Sequence, residues 1–393
     1  MSEPELTNPP EIPAPHSLRE LIEQVTGVNR PSDGGTGDAG IAEVLPFPFL
    51  AIVGQKEMKT ALLLALINPA VGGVLLIGPR GTGKTTAVRS LVDLLPQVSR
   101  SLCFYGCMPE DVESGGIDAI CPDCAKKYAM GESLAVLDRV RLVELPLNAR
   151  LEDVIGGIDE RAAIHERLRV RRGILAQADR NVLYVDEVNL LGNEVADAIL
   201  DAAAQGNYTL RRGAVWATYR SRFVLTGSMN PEEGHLRPQI MDRFGLRVMV
   251  AGLQDAQDRL HAYQRVQTFQ QHPHQIIQQY SSATGQAREE IQSARELLAQ
   301  VEIPIDITQM GLEIIKKLMI DSLRAEITLF EAARAYAAAD GRVNVNQDDL
   351  IQVAPMALRF RRSKFMSEFL AQQSLEENEI GQIIKPESEK QLP

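Results

Sequence analysis

The stretch Gly78-Pro79-Arg80-Gly81-Thr82-Gly83-Lys84-Thr85 follows the apolar run Val74-Leu75-Leu76-Ile77 and leads into a segment with helical periodicity. A strand, a glycine-rich turn and a helix in that order form a phosphate loop. Gly78 and Gly83 permit backbone conformations and approaches that a Cβ would obstruct, so successive N–H groups can turn inward onto phosphate oxygens. Lys84 supplies a cation to the β and γ phosphates, and Thr85 offers its hydroxyl to the accompanying Mg²⁺. The nucleotide-contacting set is therefore Gly78, Pro79, Arg80, Gly81, Thr82, Gly83, Lys84, Thr85 and Thr86.

A second stretch turns binding into hydrolysis. Val182-Leu183-Tyr184-Val185 reads as a buried strand ending in Asp186-Glu187, 102 positions beyond Lys84. At the end of a parallel strand beside the phosphate loop, Asp186 can hold Mg²⁺ and Glu187 can orient or deprotonate the attacking water. The strand Phe223 to Gly227 then delivers Asn230 toward the γ-phosphate side, although an Asn before a Pro is by itself a common turn former. Arg237 and Arg243 follow; a guanidinium suits a transferring phosphate and need not belong to the same subunit as the loop.

All four cysteines fall between Cys103 and Cys124, spaced Cys103-x3-Cys107, thirteen residues, Cys121-x2-Cys124. Two short-spaced pairs can converge as a tetrahedral thiolate set for structural Zn²⁺. Unligated buried thiols, redox chemistry or an iron–sulfur centre are the other readings. Further on, Arg167, Arg169, Arg171 and Arg172 form a basic run that could line a channel or contact phosphate, or simply cover a solvated face.

A length of 393 residues allows two or three domains. Residues 1–42 read as a disordered arm with one short helix started by Ser17 and Glu20. A nucleotide-binding core over 43–250 follows, with a Cys-rich insertion at 100–130, then a helical spacer and lid over 251–372 and a flexible tail over 373–393. His272 and His274 flank Pro273 in an expected loop. The segment Thr85 to Leu95 is expected as one helix, with Val88, Leu91, Val92 and Leu95 facing a sheet. The formal charge of -11 weighs against sequence-independent nucleic-acid binding. Ala61 to Gly78 is apolar but interrupted by Asn68-Pro69 and Gly72-Gly73, so no membrane span is expected, and the acidic, proline-rich start points to a cytoplasmic protein.

In order, the phosphate loop, Asp186-Glu187, Asn230 and Asp242-Arg243-Phe244 resemble a ring-forming AAA+ ATPase. Ile52-Val53-Gly54-Gln55, Leu183 to Leu191 and Asn230 to Gln239 resemble the ATPase (I) subunit of magnesium chelatase more specifically, and Asp321-Ser322-Leu323-Arg324 and Leu358-Arg359-Phe360-Arg361 extend the likeness more weakly. The resemblance implies an α/β core with a parallel sheet flanked by helices and an all-helical C-terminal lid; the cysteines depart from the family pattern, and their spacing adds a small zinc-knuckle insertion to that expectation. It implies that Lys84, Asp186 and Glu187 act with Asn230 as sensor 1, Arg243 as the finger on a neighbour's ATP and Arg324 as sensor 2. It further implies a ring of six, an integrin-like D-type partner and a large porphyrin-binding H-type partner, with hydrolysis coupled to insertion of Mg²⁺ into protoporphyrin IX. The rival expectations are a MoxR-like chaperone for another metal-insertion or remodelling reaction, a DNA-remodelling motor and a slow regulatory nucleotide sensor.

Overall fold

The structure, a computed structural model, describes residues 45–362 other than 96, 104–105, 159–169, 213–214 and 235. The expected arm with its Ser17–Glu20 helix start, the tail from 373, and Arg167 and Arg169 lie outside the described residues. No helix among the described residues is long and apolar enough to cross a membrane.

Helix α1 (Lys56–Ile67) stops where Asn68-Pro69 removes the next helical donor; the Asn68 side chain instead accepts from Ala70 N at 3.0 Å and caps a 3₁₀ turn, Pro69–Val71. Strand β1 (Val74–Ile77) is buried at every position and runs into the phosphate loop and α2 (Lys84–Ser90). The helix expected to reach Leu95 tightens into a 3₁₀ turn at Leu91–Leu94. Val88, Leu91 and Leu95 are buried as expected, but Val92 faces solvent, because tightening to three residues per turn rotates it off the packing face.

Strand β2 (Gln97–Ser101) pairs antiparallel with β3 (Ala135–Arg139), and α3 (Pro109–Gly115) and α4 (Pro122–Ala129) lie in the excursion between them. The chain continues through β4 (Leu142–Leu145), α5 (Leu151–Ile155), the β5 (Gly156–Ile158) and β6 (Val170–Arg172) pair, α6 (Ile174–Gln177) and β7 (Val182–Val185). Next come α7 (Asn193–Gln205), the hairpin strands β8 (Asn207–Arg212) and β9 (Val215–Arg220), β10 (Val224–Met229), α8 (Pro238–Arg243) and β11 (Leu246–Met249).

Five of these strands form one parallel sheet in the order β11-β1-β10-β7-β4. Alternate side chains of β1 and β7 serve opposite faces. Val74, Leu76, Val182 and Tyr184 join one apolar cluster, while Leu75, Ile77, Leu183 and Val185 join the other. Both faces are thus covered, which is what continuous apolar strands require.

Helices α9 (Ala256–Gln271), α10 (Pro273–Leu297), α11 (Ile305–Lys317), α12 (Leu323–Ala339) and α13 (Gln347–Leu358) complete the described chain. The loop expected around His272 and His274 is absent: His272 stands before α10 and Pro273 opens it, a position where the missing proline N–H costs nothing. Apolar residues of α12 and α13 share one cluster with those of α1, and Asn68 Nδ2 donates to Glu331 Oε2 at 2.7 Å. Arg359, just past α13, reaches Glu57 on α1. The helical part is therefore packed onto one face of the nucleotide-binding part.

Candidate active site

Strand order places the C-terminal ends of β1, β10 and β7 side by side, and every hydrolytic residue expected from the sequence except the arginines comes from those ends. Gly78 leaves β1 tight against the backbone on both sides: its N–H donates to Met229 O at 3.1 Å, and a Cβ on it would lie 2.0 Å from Val250 O. Gly83 has φ +85°, with open space where its Cβ would be. The Lys84 ammonium donates to Gly78 O at 2.7 Å and Pro79 O at 2.8 Å, so the cation lies across the mouth of the loop. Burial lowers the Lys84 pKa, opposed by Asp186, Glu233 and Glu187.

Thr85 Oγ1 donates to Asp186 Oδ2 at 3.2 Å. Between them stands Tyr184, buried in β7, whose hydroxyl lies 2.9 Å from Asp186 Oδ1, 3.1 Å from Thr85 Oγ1 and 3.3 Å from Ser228 Oγ. Burial pushes the Tyr184 phenol up, so it remains a donor at any working pH. Ser228 on β10 donates to the same carboxylate and accepts from Glu187 N at 3.2 Å. Glu187 is held at φ 50°, a left-handed conformation uncommon for a residue with a Cβ, which turns its side chain out of the line of β7.

Asn230 is buried at the end of β10. Its Oδ1 accepts from Glu232 N at 3.2 Å, the turn-forming role, while its Nδ2 donates to Glu233 Oε1 at 2.8 Å. Arg80 pairs with Glu233 and lies 3.5 Å from Glu187. Hydrogen bonds from Asn230 first, then Arg80, hold the Glu233 carboxyl below its usual range. A cleft of about 250 Å³ lies among Arg80 to Thr86, Asp186, Glu187, Ser228 and Asn230.

The arginines lie elsewhere. Arg243, at the end of α8, pairs with Asp201 at 2.9 Å on α7. Arg324, at the start of α12, pairs with Asp242 at 3.1 Å. Both line a different cavity of about 370 Å³, with Gly72 and Gly73, before β1 begins. They therefore sit at the opposite end of β1 from their own phosphate loop. Arg237 lies 3.5 Å from Asp197 on α7.

The four cysteine sulfurs converge: all lie within 4.8 Å of one another, with Cys103 Sγ 3.7 Å from Cys107 Sγ and 3.5 Å from Cys121 Sγ. Burial pushes the Cys107 thiol up to about 11 and raises Cys124 further. The cluster can hold a metal ion. Arg172 of the basic run does not cover a solvated face: its Nη2 donates to Cys103 O at 3.1 Å.

Two family models match. One, described as magnesium chelatase, subunit ChlI, covers residues 49–105, and one described as AAA lid domain covers residues 312–383. The magnesium-chelatase subunit ChlI homolog of Methanocaldococcus jannaschii is 43% identical over 341 residues, 86% of this chain and 92% of that one. The chain belongs to the magnesium-chelatase ChlI family of AAA+ ATPases. The chloroplastic ChlI of Glycine max, 41% identical across 81% of this chain and 75% of its own, is a further relative. A putative ATPase from Cytophaga hutchinsonii, 18% identical with a TM-score of 0.52 over 84% of this chain and 90% of that one, shares the fold.

For a ChlI-family chain, the phosphate loop and the Asp186-Glu187 pair are readable as motifs, whereas Tyr184, Ser228 and Glu233 are not. Tyr184 and Ser228 sit inside strands and look like packing residues. Their role depends on β7 and β10 being neighbours, with Thr226 opposite Tyr184 in the ladder. Glu233 falls in Pro231-Glu232-Glu233, which in sequence marks only a turn.

Proposed function

We propose that this chain is the ATP-hydrolysing subunit of a magnesium-chelatase-type complex, coupling hydrolysis to insertion of Mg²⁺ into protoporphyrin IX in chlorophyll or bacteriochlorophyll biosynthesis. The observation that carries the reading is the Thr85–Asp186–Tyr184–Ser228 network beside Lys84, in a chain so similar to subunits bearing that name.

The residues suit MgATP. Thr85 and Asp186 are an all-oxygen pair, the donor type a hard cation takes, and Gly81 and Gly83 carry no side chain into the open space of the cradle. Thr85 and Asp186 would hold the Mg²⁺, which when bound neutralises charge on the β and γ phosphates. Gly78 to Thr86 hold the phosphates, with Lys84 as the cation among them. Tyr184 and Ser228 fix the orientation of the Asp186 carboxylate. Glu187 accepts a proton from, or orients, the attacking water, and Asn230 orients the γ-phosphate side.

Arg243 acts as an arginine finger and Arg324 as a second sensor. Because both stand at the far end of β1 from their own loop, each serves the γ-phosphate of a neighbouring subunit. The site is complete only in a ring, for which we take six subunits, working with an integrin-like D-type subunit and a porphyrin-binding H-type subunit. The four cysteines hold a structural Zn²⁺, away from the hydrolytic chemistry.

Reconstitution with D-type and H-type subunits, protoporphyrin IX, Mg²⁺ and ATP tests the reading by the absorbance of the metallated porphyrin. Magnesium porphyrin formed with ATP, and none with a Glu187→Gln subunit, is the expected result. Hydrolysis without any metallated product would instead favour a chaperone of the MoxR type.

A further inference from the structure

The excursion between β2 and β3 has too little core to fold by itself. Among its described residues, only Cys107, Met108, Ile120, Cys124 and Leu134 are buried hydrophobics, and the cluster that Cys107, Ile120, Cys124 and Leu134 form is separate from the two that flank the sheet. A lobe this small needs a staple. The thiols have the geometry of one. Four sulfurs around one zinc at about 2.3 Å are about 3.8 Å apart along each tetrahedral edge, against the observed 3.5 Å and 3.7 Å. Cys121 N–H donates to Cys107 Sγ at 3.3 Å, a bond that favours a thiolate there. Cys121 stands just before α4 and Cys124 lies in its first turn, so the second thiol pair is held by the start of one helix.

The same lobe grips the rest of the molecule through three arginines from three different elements. Arg172, ending β6, donates to Cys103 O at 3.1 Å. Arg180, in the turn before β7, pairs with Glu110 at 2.5 Å and also reaches Ser99 O at 3.3 Å. Arg220, ending β9, pairs with Asp111, and both side chains are largely buried. Glu110 and Asp111 sit in the first turn of α3, and the other oxygen of Asp111 accepts from Met108 N at 2.8 Å. Helix α3 is bracketed by two of the four thiols, Cys107 before it and Cys121 after it.

We propose that this lobe is a tetrathiolate zinc latch: the metal fixes both ends of the segment carrying α3, and the fixed lobe in turn holds the end of β6 through Arg172 on Cys103 O, the turn before β7 through Arg180 on Glu110, and the end of β9 through Arg220 on Asp111. The proposal rests on the zinc reading above and adds what the zinc does. The latch closes on the start of β7, whereas Asp186 and Glu187 follow its end, so the metal governs the paired strands and not the phosphate loop. Loss of zinc releases β8 and β9 while nucleotide binding persists.

The test uses the full chain prepared anaerobically, with metal content measured by plasma mass spectrometry and amide hydrogen exchange followed in β8, β9, β1 and α2. Wild type carries one zinc per chain. Cys121→Ser/Cys124→Ser loses the zinc, and its β8 and β9 amides exchange at least about tenfold faster, the scale set by losing charge-assisted bonds. Glu110→Gln/Asp111→Asn keeps all four thiols and its zinc, yet shows the same acceleration in β8 and β9 with β1 and α2 unchanged, so misfolding of the cysteine variant cannot imitate the effect. Iron or no metal in wild type, or disulfides found by thiol counting, overturns the zinc. Zinc retained with β8–β9 exchange unchanged in the acid variant overturns the latch. Binding of fluorescent ATP analogue, measured alongside, reports separately on the phosphate-loop reading.

Discussion

Replacing Asp242 with Asn should loosen the helical lid, and the structure sets the size of the effect. The Asp242 carboxylate accepts from Arg361 at 2.9 Å, Arg324 at 3.1 Å and Arg247 at 3.4 Å. Arg361 and Arg247 are 0% and 1% exposed in their side chains. Burial pushes Arg247 down to about 10, the neighbouring Arg361 charge adds to that, and Asp242 is the carboxylate opposing it. Asparagine keeps the shape but removes the charge, leaving two guanidiniums buried against each other. Breaking a buried pair costs about 3–5 kcal/mol, and since Asp242 itself is 35% exposed the lower end applies, about 3 kcal/mol. At about 1.5 °C per kcal/mol for a unit larger than 250 residues, Tm falls by about 4–5 °C. Differential scanning calorimetry at fixed protein concentration without nucleotide measures it. A Tm within about 1 °C of wild type, less than a single kcal/mol produces at this size, would refute the claim that this carboxylate ties the lid to α8.

Arg243→Ala should lower ATP turnover by roughly 10³–10⁵-fold with nucleotide binding retained, the scale of an arginine finger, measured by phosphate release against analogue titration. Tyr184→Phe removes a buried hydroxyl shared by Thr85, Asp186 and Ser228 and should cost about 1–3 kcal/mol in stability and shift the Mg²⁺ requirement of hydrolysis to higher concentration, read from a magnesium titration. Gly78→Ala places a Cβ 2.0 Å from Val250 O, a backbone atom that cannot swing aside, so the variant should fail to show a cooperative melt at the wild-type temperature.

How far the sequence could be read depended on how local each feature is. The phosphate loop and β7 with its two carboxylates are contiguous, and fixed spacing alone announced them. Tyr184 was hidden because a tyrosine in an apolar strand looks like packing until β10 lies alongside. Arg324 could be named by resemblance, but its place beside Arg243 depends on how α12 packs on the core, which no local pattern encodes. The cysteine spacing suggested convergence, yet the Arg220–Asp111 and Arg180–Glu110 pairs span 109 and 70 positions and emerge only from the fold. Val92 failed for the opposite reason: a purely local change of helix type overrode a correct amphipathic pattern.

In the proposed ring the hydrolytic site is divided between subunits, with Lys84 on one and Arg243 on the next. Mixing two inactive variants tests it directly: Lys84→Ala, which keeps its finger, and Arg243→Ala, which keeps its phosphate loop. Each alone should be nearly silent, and random mixing in equal amounts should restore roughly a quarter of the wild-type ATPase rate, because that share of interfaces pairs an intact loop with an intact finger. A mixture no more active than its two components, in rings shown to exchange subunits, would contradict a site completed by the neighbouring chain.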